Sequence, residues 1–218
     1  MIKIIKASEI DENFYGERDF GESIDAVRDI LKDVKKRGDE ALFEYSRKFD
    51  AACPSSLLIP ESVLEKCAQK LKHDNPDLYE AISYSKDLAV EFAKKQRESF
   101  NDFEVELRPG VFTGQKNIPV EKAGLYVPAG RFALVSTVIM TSSPAVAAGV
   151  SEIVLCTPPR KNPDGSDAPY ADENIMAAAY ICGIRKVFAC GGSQAIAAMA
   201  FGTESIPAVD VLVGPGNK

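Results

Sequence analysis

The residues best suited to chemistry in this 218-residue chain are few: one histidine, His73, and five cysteines, Cys53, Cys67, Cys156, Cys182 and Cys190. A mechanism that requires two histidines cannot be completed with these. His73 stands in Lys72-His73-Asp74-Asn75, between two expected helices, with nothing nearby at metal-ligand spacing. It reads as a solvated loop histidine. The cysteines form no C-x-x-C pair and their number is odd, unlike the framework of a secreted disulfide-rich domain. Cys156 and Cys190 each close an apolar run and read as small buried hydrophobes. A nucleophilic thiol needs an activating base, and no histidine partner is evident. The pattern points to free thiols in a reducing cytoplasm.

Three segments offer backbone and amide chemistry instead. Gly191-Gly192-Ser193-Gln194 runs straight into an Ala-rich stretch. Two glycines before a helix can bring N–H groups close to an anion, aided by the helix N-terminus. Gln194 would then lie in the first turn, able to donate and to accept. The same residues could equally form a tight turn with Ser193 as the helix N-cap. Tyr126 ends the apolar run Gly124-Leu125-Tyr126-Val127, before Pro128-Ala129-Gly130. It could stack on a base or place its hydroxyl on a ligand, or be a core aromatic with a satisfied hydroxyl. Gly214-Pro215-Gly216 gives close backbone access beside the Asn217 amide, or simply ends a strand. The dinucleotide fingerprint G-x-G-x-x-G is absent from these segments, so a standard Rossmann site is not supported.

The elements that must position these segments follow from periodicity. Composition changes near residue 118: residues 1–118 hold 43 of the 58 charged residues, while 119–218 holds 10 of the 15 glycines and 9 of the 13 prolines. The first part reads as helical. Apolar residues recur at helical spacing over Ser23 to Arg37, and Gly38 is a natural stop. Asp39 is placed to cap a second helix through Phe49, and a third follows Pro60. Asn75-Pro76 reads as an N-cap with proline at the first helical position. The helix it opens runs to about Ser99, with Leu78, Ile82, Leu88, Phe92 and Ala93 as candidates for burial. Phe103 to Leu107 alternates as a strand, and Pro109-Gly110 turns it into a second.

The second part alternates short apolar runs with helical stretches. Gly124–Val127, Ile153–Cys156, Lys186–Ala189 and Val209–Val213 read as strands. Ser136 to Gly149 (interrupted at Pro144), Asp172 to Cys182 and Ser193 to Phe201 read as helices. Pro158 to Pro169 reads as a polar loop. This β-α-β-α-β-α-β order predicts an α/β fold with a parallel sheet covered on both faces. Ligands of such sheets bind at the carboxyl ends of the strands, where all three segments lie. Lys94-Lys95-Gln96-Arg97 reads as the wet face of a long helix.

Composition bounds the rest. With 45% hydrophobic and 27% charged residues the chain is an ordinary globular one. Its net charge of −6 argues against nucleic acid as a partner. No apolar stretch approaches the roughly 18–20 residues of a membrane span, and the lysine-bearing N-terminus does not read as a signal peptide.

Several ordered blocks resemble histidinol dehydrogenases: Gly38–Leu42 with Phe49-Asp50, Gly124–Gly130, Ser136–Val138, Val154–Pro159, Gly191–Ala198 and Gly214–Asn217. The resemblance spans nearly the whole chain, and the chain covers about half of the family's usual length. It implies a helical N-terminal region with a β-hairpin over 1–118, part of a domain completed downstream. Over 119–218 it implies an incomplete Rossmann-like parallel sheet with helices on both faces, similar to that of aldehyde dehydrogenases. The implied activity is NAD-dependent oxidation of L-histidinol through the aldehyde to L-histidine, in a zinc-dependent cytoplasmic homodimer. The positions matching the family's NAD contacts are Tyr126, Gln194 and Asn217.

The family's Glu-His pair, zinc ligands and most substrate contacts fall after the last matching block, so no catalytic or metal-binding residue is assigned here. Two other readings stand beside this one. One is a non-catalytic nucleotide-binding or assembly module completed by a separate polypeptide. The other is an aldehyde dehydrogenase-like enzyme with Cys190 as nucleophile. The resemblance implies a truncated chain. The purified 218 residues, given zinc, NAD and histidinol, are expected to form no NADH, and NADH absorbance rising with enzyme concentration would overturn that.

Overall fold

A computed structural model describes residues 6–10, 21–129, 132–160 and 170–216. Among the described residues a short 3-10 turn (Ala7–Glu9) and four α-helices precede the first strand: α1 (Gly21–Arg37), α2 (Asp39–Phe49), α3 (Glu61–Asp74) and α4 (Pro76–Glu98). A hairpin follows, β1 (Phe103–Arg108) and β2 (Val111–Gln115). The α/β part is β3 (Lys122–Tyr126), α5 (Val135–Ala148), β4 (Glu152–Thr157), α6 (Glu173–Ile181), β5 (Lys186–Ala189), α7 (Gly192–Phe201) and β6 (Val211–Val213).

The last four strands form one parallel sheet in the order β5-β4-β3-β6. The alternation of side chains along a strand sends Leu125, Leu155, Val187 and Ala189 to one face. Tyr126, Val154, Cys156, Phe188 and Leu212 go to the other. The first face is covered by α5 and α6, with α3 and α4 packed onto them. The second is covered by α7, with α1 and α2 packed onto it. The first 100 residues therefore complete both cores. They also extend the sheet: Ile59 N–H donates to the Val187 carbonyl at 2.9 Å, and Ala189 N–H to the Leu57 carbonyl at 2.8 Å. This short antiparallel stretch covers the outer edge of β5.

Several local expectations hold. Asn75 caps α4, its side chain accepting from Leu78 N–H, with Pro76 at the first position. Asp172 caps α6 through Asn174 N–H and Ile175 N–H. The hairpin forms where alternation places it.

Other expectations are corrected. Asp39 does not cap α2. It is the first helical residue, and its carboxylate accepts from Ser205, while its own N–H donates to the Glu204 carboxylate at 2.8 Å. Pro144 does not interrupt α5, which runs continuously to Ala148 and ends at Gly149. Proline removes one N–H, but packing on α4 and the sheet keeps the helix whole. Leu88 and Phe92 are 48% and 65% exposed, so α4 buries a narrower face, centred on Ile82 and Ala93. Arg97 is not simply a wet residue: its guanidinium donates to the Ala147 carbonyl at 2.9 Å. β6 is shorter than expected, because Val209 N–H turns to the Met199 carbonyl. The polar loop lies for the most part outside the described residues.

Leu155, at the centre of β4, is fully buried in the first core. Leu155→Ala should cost about 2–5 kcal/mol, as expected for a leucine removed from a close-packed interior. Urea unfolding followed by circular dichroism would measure it, and a loss below about 1 kcal/mol would contradict this packing.

Candidate functional site

The strand order reverses between β3 and β6: from β3 the chain steps outward through β4 and β5, then returns to the opposite side of β3. In an open parallel sheet this switch point leaves a crevice at the carboxyl ends of the two strands. A cavity of about 230 Å³ lies there, lined by Tyr126, Gly192, Ile196, Leu212, Gly214 and Pro215, among others. A larger cavity of about 610 Å³ is lined by Arg97, Ile118, Pro144 and Ala148. It lies at the C-terminal end of α5, hence at the amino ends of the strands, and gathers none of the three segments. The smaller one is where the topology places chemistry.

Tyr126 is the last residue of β3. Its ring packs partly buried on the second core, and its hydroxyl accepts from Gly192 N–H at 3.0 Å. Burial pushes the phenol pKa up, and the Gly192 bond pulls it part of the way back. Gly214 crosses directly over the Tyr126 carbonyl: a Cβ there would stand 2.4 Å from that oxygen. Only glycine lets the two chain ends approach so closely. This is the close backbone access expected of Gly214-Pro215-Gly216. Asn217 lies outside the described residues.

Gly192 has φ +63°, a left-handed conformation that costs side-chain-bearing residues energy. The space a Cβ would need is filled by Gln194, whose Oε1 would be 2.5 Å away. Gln194 is only 2% exposed. Its carboxamide folds back against Gly192, and its polar atoms are not among the described ones sealed from solvent without a partner. In the first turn of α7, next to the crevice residue Gly192, this amide can both donate and accept. Ser193 does not cap the helix: α7 starts at Gly192 with Gly191 before it and no side-chain cap.

Gly191 is extended rather than left-handed, and it is hemmed in by neighbours. A Cβ there would meet Pro158 at 2.8 Å and Asp50 Oδ1 at 3.1 Å. Asp50 is the C-cap of α2, brought to the turn by helix packing. Its Oδ2 is buried with no hydrogen-bond partner among the described residues. Burial pushes its carboxyl up to about 6, with a smaller opposing pull from the Ser46 hydroxyl. Sequence reasoning did not single out Asp50 as a site residue, and no local signal marks it. Only the docking of α2 places it here.

Cys190 precedes the turn but is almost fully buried, and burial pushes its thiol well above the ordinary value. The anions Asp50 and Asp39 raise it further, so it is a core thiol, and the cysteine-nucleophile reading loses its residue. His73 is not in a loop: it lies in the last turn of α3, its side chain 90% exposed and paired with Asp74. No group of three or more His, Cys, Asp or Glu residues able to hold a metal occurs among the described residues.

Comparison with known proteins places this arrangement. A model of the histidinol dehydrogenase family matches residues 16–218. Histidinol dehydrogenase from Prochlorococcus marinus is 44% identical over 196 residues, covering 89% of this chain and 42% of that protein. The Escherichia coli enzyme of the same name is 43% identical over 191 residues, covering 88% of this chain and 41% of that protein. Sulfopropanediol 3-dehydrogenase from Ruegeria pomeroyi is 42% identical over 197 residues, covering 89% and 42%. A crystal structure of histidinol dehydrogenase from Elizabethkingia anophelis superimposes with a TM-score of 0.79 at 32% identity, over 93% of this chain and 43% of that one. The chain thus spans about two fifths of the length of the relatives it matches.

Asp50 gives a prediction whose sign follows from its proton affinity. The folded state holds this proton more tightly than an ordinary carboxyl near 3.8 does, so its stabilising contribution is complete below about pH 4 and is lost as pH rises through about 6. Asp50→Asn should therefore unfold at higher urea than the parent at pH 7.5, with the gap closing at pH 4. Equal midpoints at pH 7.5 would show that the carboxylate pays no burial penalty.

Proposed function

The chain belongs to the histidinol dehydrogenase family, and from that premise we propose that it is the dinucleotide-binding portion of an NAD-dependent alcohol dehydrogenase acting on L-histidinol in histidine biosynthesis. The observation that carries the reading is the crevice at the switch point of the sheet, where Tyr126, Gly192 and Gly214 meet, the Tyr126 hydroxyl accepts from Gly192 N–H, and the Gln194 carboxamide packs against Gly192. Tyr126 offers a ring face and a hydroxyl already fixed to the turn, and Gln194 offers one donor and one acceptor. Asn217, next in sequence after Gly216, is proposed as the third cofactor contact on the strength of the resemblance alone. When bound, NAD supplies the hydride acceptor. The chain's own residues bind and orient it.

Zinc is proposed for the whole protein and not for this portion. The described residues offer no ligand set that fits the ion. No catalytic residue is assigned. The fold reading extends to an incomplete, aldehyde dehydrogenase-like Rossmann sheet over 119–218, with 1–118 as part of a domain completed elsewhere. A cytoplasmic homodimer is the proposed assembly. Among the described residues no helix is long and apolar enough to cross a membrane.

A second reading of the substrate rests on the Ruegeria relative, whose name assigns it a sulfonated diol at an identity similar to that of the histidinol enzymes. The dinucleotide side of the site is the same in both readings. Catalysis restored by a complementary polypeptide, tested with histidinol and with sulfopropanediol, separates them. A module that binds NAD but is never completed would restore neither.

Gln194→Ala should weaken NAD binding on the order of tenfold, the effect of losing hydrogen bonds to a buried amide. Calorimetric titration of the folded variant measures this, and unchanged affinity removes Gln194 from the site.

A further inference from the structure

Asp50 is not explained by the cofactor contacts above. Its carboxylate sits under the Gly191-Gly192 turn, with Oδ1 against Gly191 and Oδ2 sealed from solvent without a partner. The titratable groups that feel it are Tyr126 from β3 and Cys190 after β5, with Cys156 from β4 acting on both and Asp39 from the head of α2 acting on Cys190. None of these is a cation. The helix packed above, α7, carries no acidic or basic residue in its first or last turn. On its own element, Arg47 and Lys48 are exposed, and Lys48 Nζ lies over the Phe49 ring. A lone buried carboxylate is costly unless it is protonated or paired. Here no cation is built in to pair with it.

The turn above it is the place where a dinucleotide phosphate would meet the N-terminus of α7. A phosphate docked there is separated from Asp50 by little more than the Gly191 backbone. Two anions that close in a water-poor site repel, and the weaker acid responds by taking a proton.

We propose that Asp50 is a proton-linked positioning residue of the dinucleotide site, holding the Gly191-Gly192 turn against Tyr126 and taking up a proton from solvent when a phosphate-bearing ligand docks on that turn. The inference rests on the dinucleotide reading above. Asp50 acts through the turn and touches no reacting atom. Its carboxyl, already pushed up to about 6 without ligand, is poised to change state near neutral pH. The coupling has a definite sign: affinity for the dinucleotide falls as pH rises, because the empty site loses the proton that the occupied site keeps.

The test is calorimetric titration of the 218-residue chain with NAD between pH 5 and 8, in two buffers of different ionisation enthalpy at each pH. The parent should bind NAD at least about threefold more weakly at pH 8 than at pH 5. Near pH 7 the difference in heat between buffers should report net proton uptake. Asp50→Asn, which mimics the protonated side chain, should bind with a pH-independent affinity at least equal to that of the parent at pH 8, and without uptake. A purely structural Asp50 would change stability and leave the proton count unmoved. NAD binding by the parent without pH dependence or proton uptake overturns the inference and leaves the dinucleotide reading standing. Uptake that persists in Asp50→Asn assigns the proton to another group and also overturns it. If the variant does not fold, the buffer comparison on the parent still decides whether protons are taken up in the required direction. Absence of NAD binding by the parent at every pH removes the dinucleotide reading and this inference together.

Discussion

A parallel sheet leaves no face for water, and that constraint organises this chain. Strands β3, β4 and β5 carry apolar or small side chains on both sides, so each face needs its own cover. The three crossover helices α5, α6 and α7 are apolar and carry several alanines each. They reach the sheet closely but do not shield it alone. The charged N-terminal helices provide the second layer, α3 and α4 over one face and α1 and α2 over the other. Their amphipathic sequences suit a layer that is apolar inward and wet outward. The same demand fixes the edge of β5, whose backbone groups bond to the Leu57–Ile59 stretch instead of to solvent.

This dependence separates what could be read locally from what could not. Buried strands of a parallel sheet announce themselves as short apolar runs, and Asn75-Pro76 or Asp172 state a helix start within three residues. The caps that failed are the ones settled at long range. The α2 N-terminus is satisfied by Glu204, 165 positions away in sequence, so Asp39 is free to serve Ser205. Ser193 is drawn into the first turn of α7 because Gly191 and Gly192 take the tight geometry ahead of it. On α4 the periodic stripe is wider than the surface available to receive it, which leaves Leu88 and Phe92 exposed. The hairpin likewise forms from alternation alone, yet every one of its residues is exposed.

The candidate site divides in the same way. Tyr126, Gly192, Gln194 and Gly214 were legible as post-strand residues because a parallel sheet gathers its carboxyl ends. What the spacing left open was whether each was a ligand contact or turn chemistry. For Gly192 both are true: its left-handed φ makes the turn, and the missing Cβ makes room for Gln194. Asp50 could not be read locally, since nothing around Phe49-Asp50 says that α2 ends beneath a loop 140 residues further on.

The turn also differs from a plain anion cradle in one physical respect. A free helix N-terminus offers several unpaired N–H groups to a phosphate, but here the Gly192 N–H is already given to the Tyr126 hydroxyl. That bond orients the phenol, whose own proton remains available to an acceptor on the ligand side. The site thus converts a backbone donor into a side-chain donor carried by an aromatic ring, and adds a buried carboxamide beside it. Such an arrangement suits a ligand that presents a flat ring and directional polar groups together with its negative charge. An unpaired carboxylate under the same turn would repel a ligand that brought charge alone, which makes simple anions poor occupants and leaves the ring face and the carboxamide to supply the affinity.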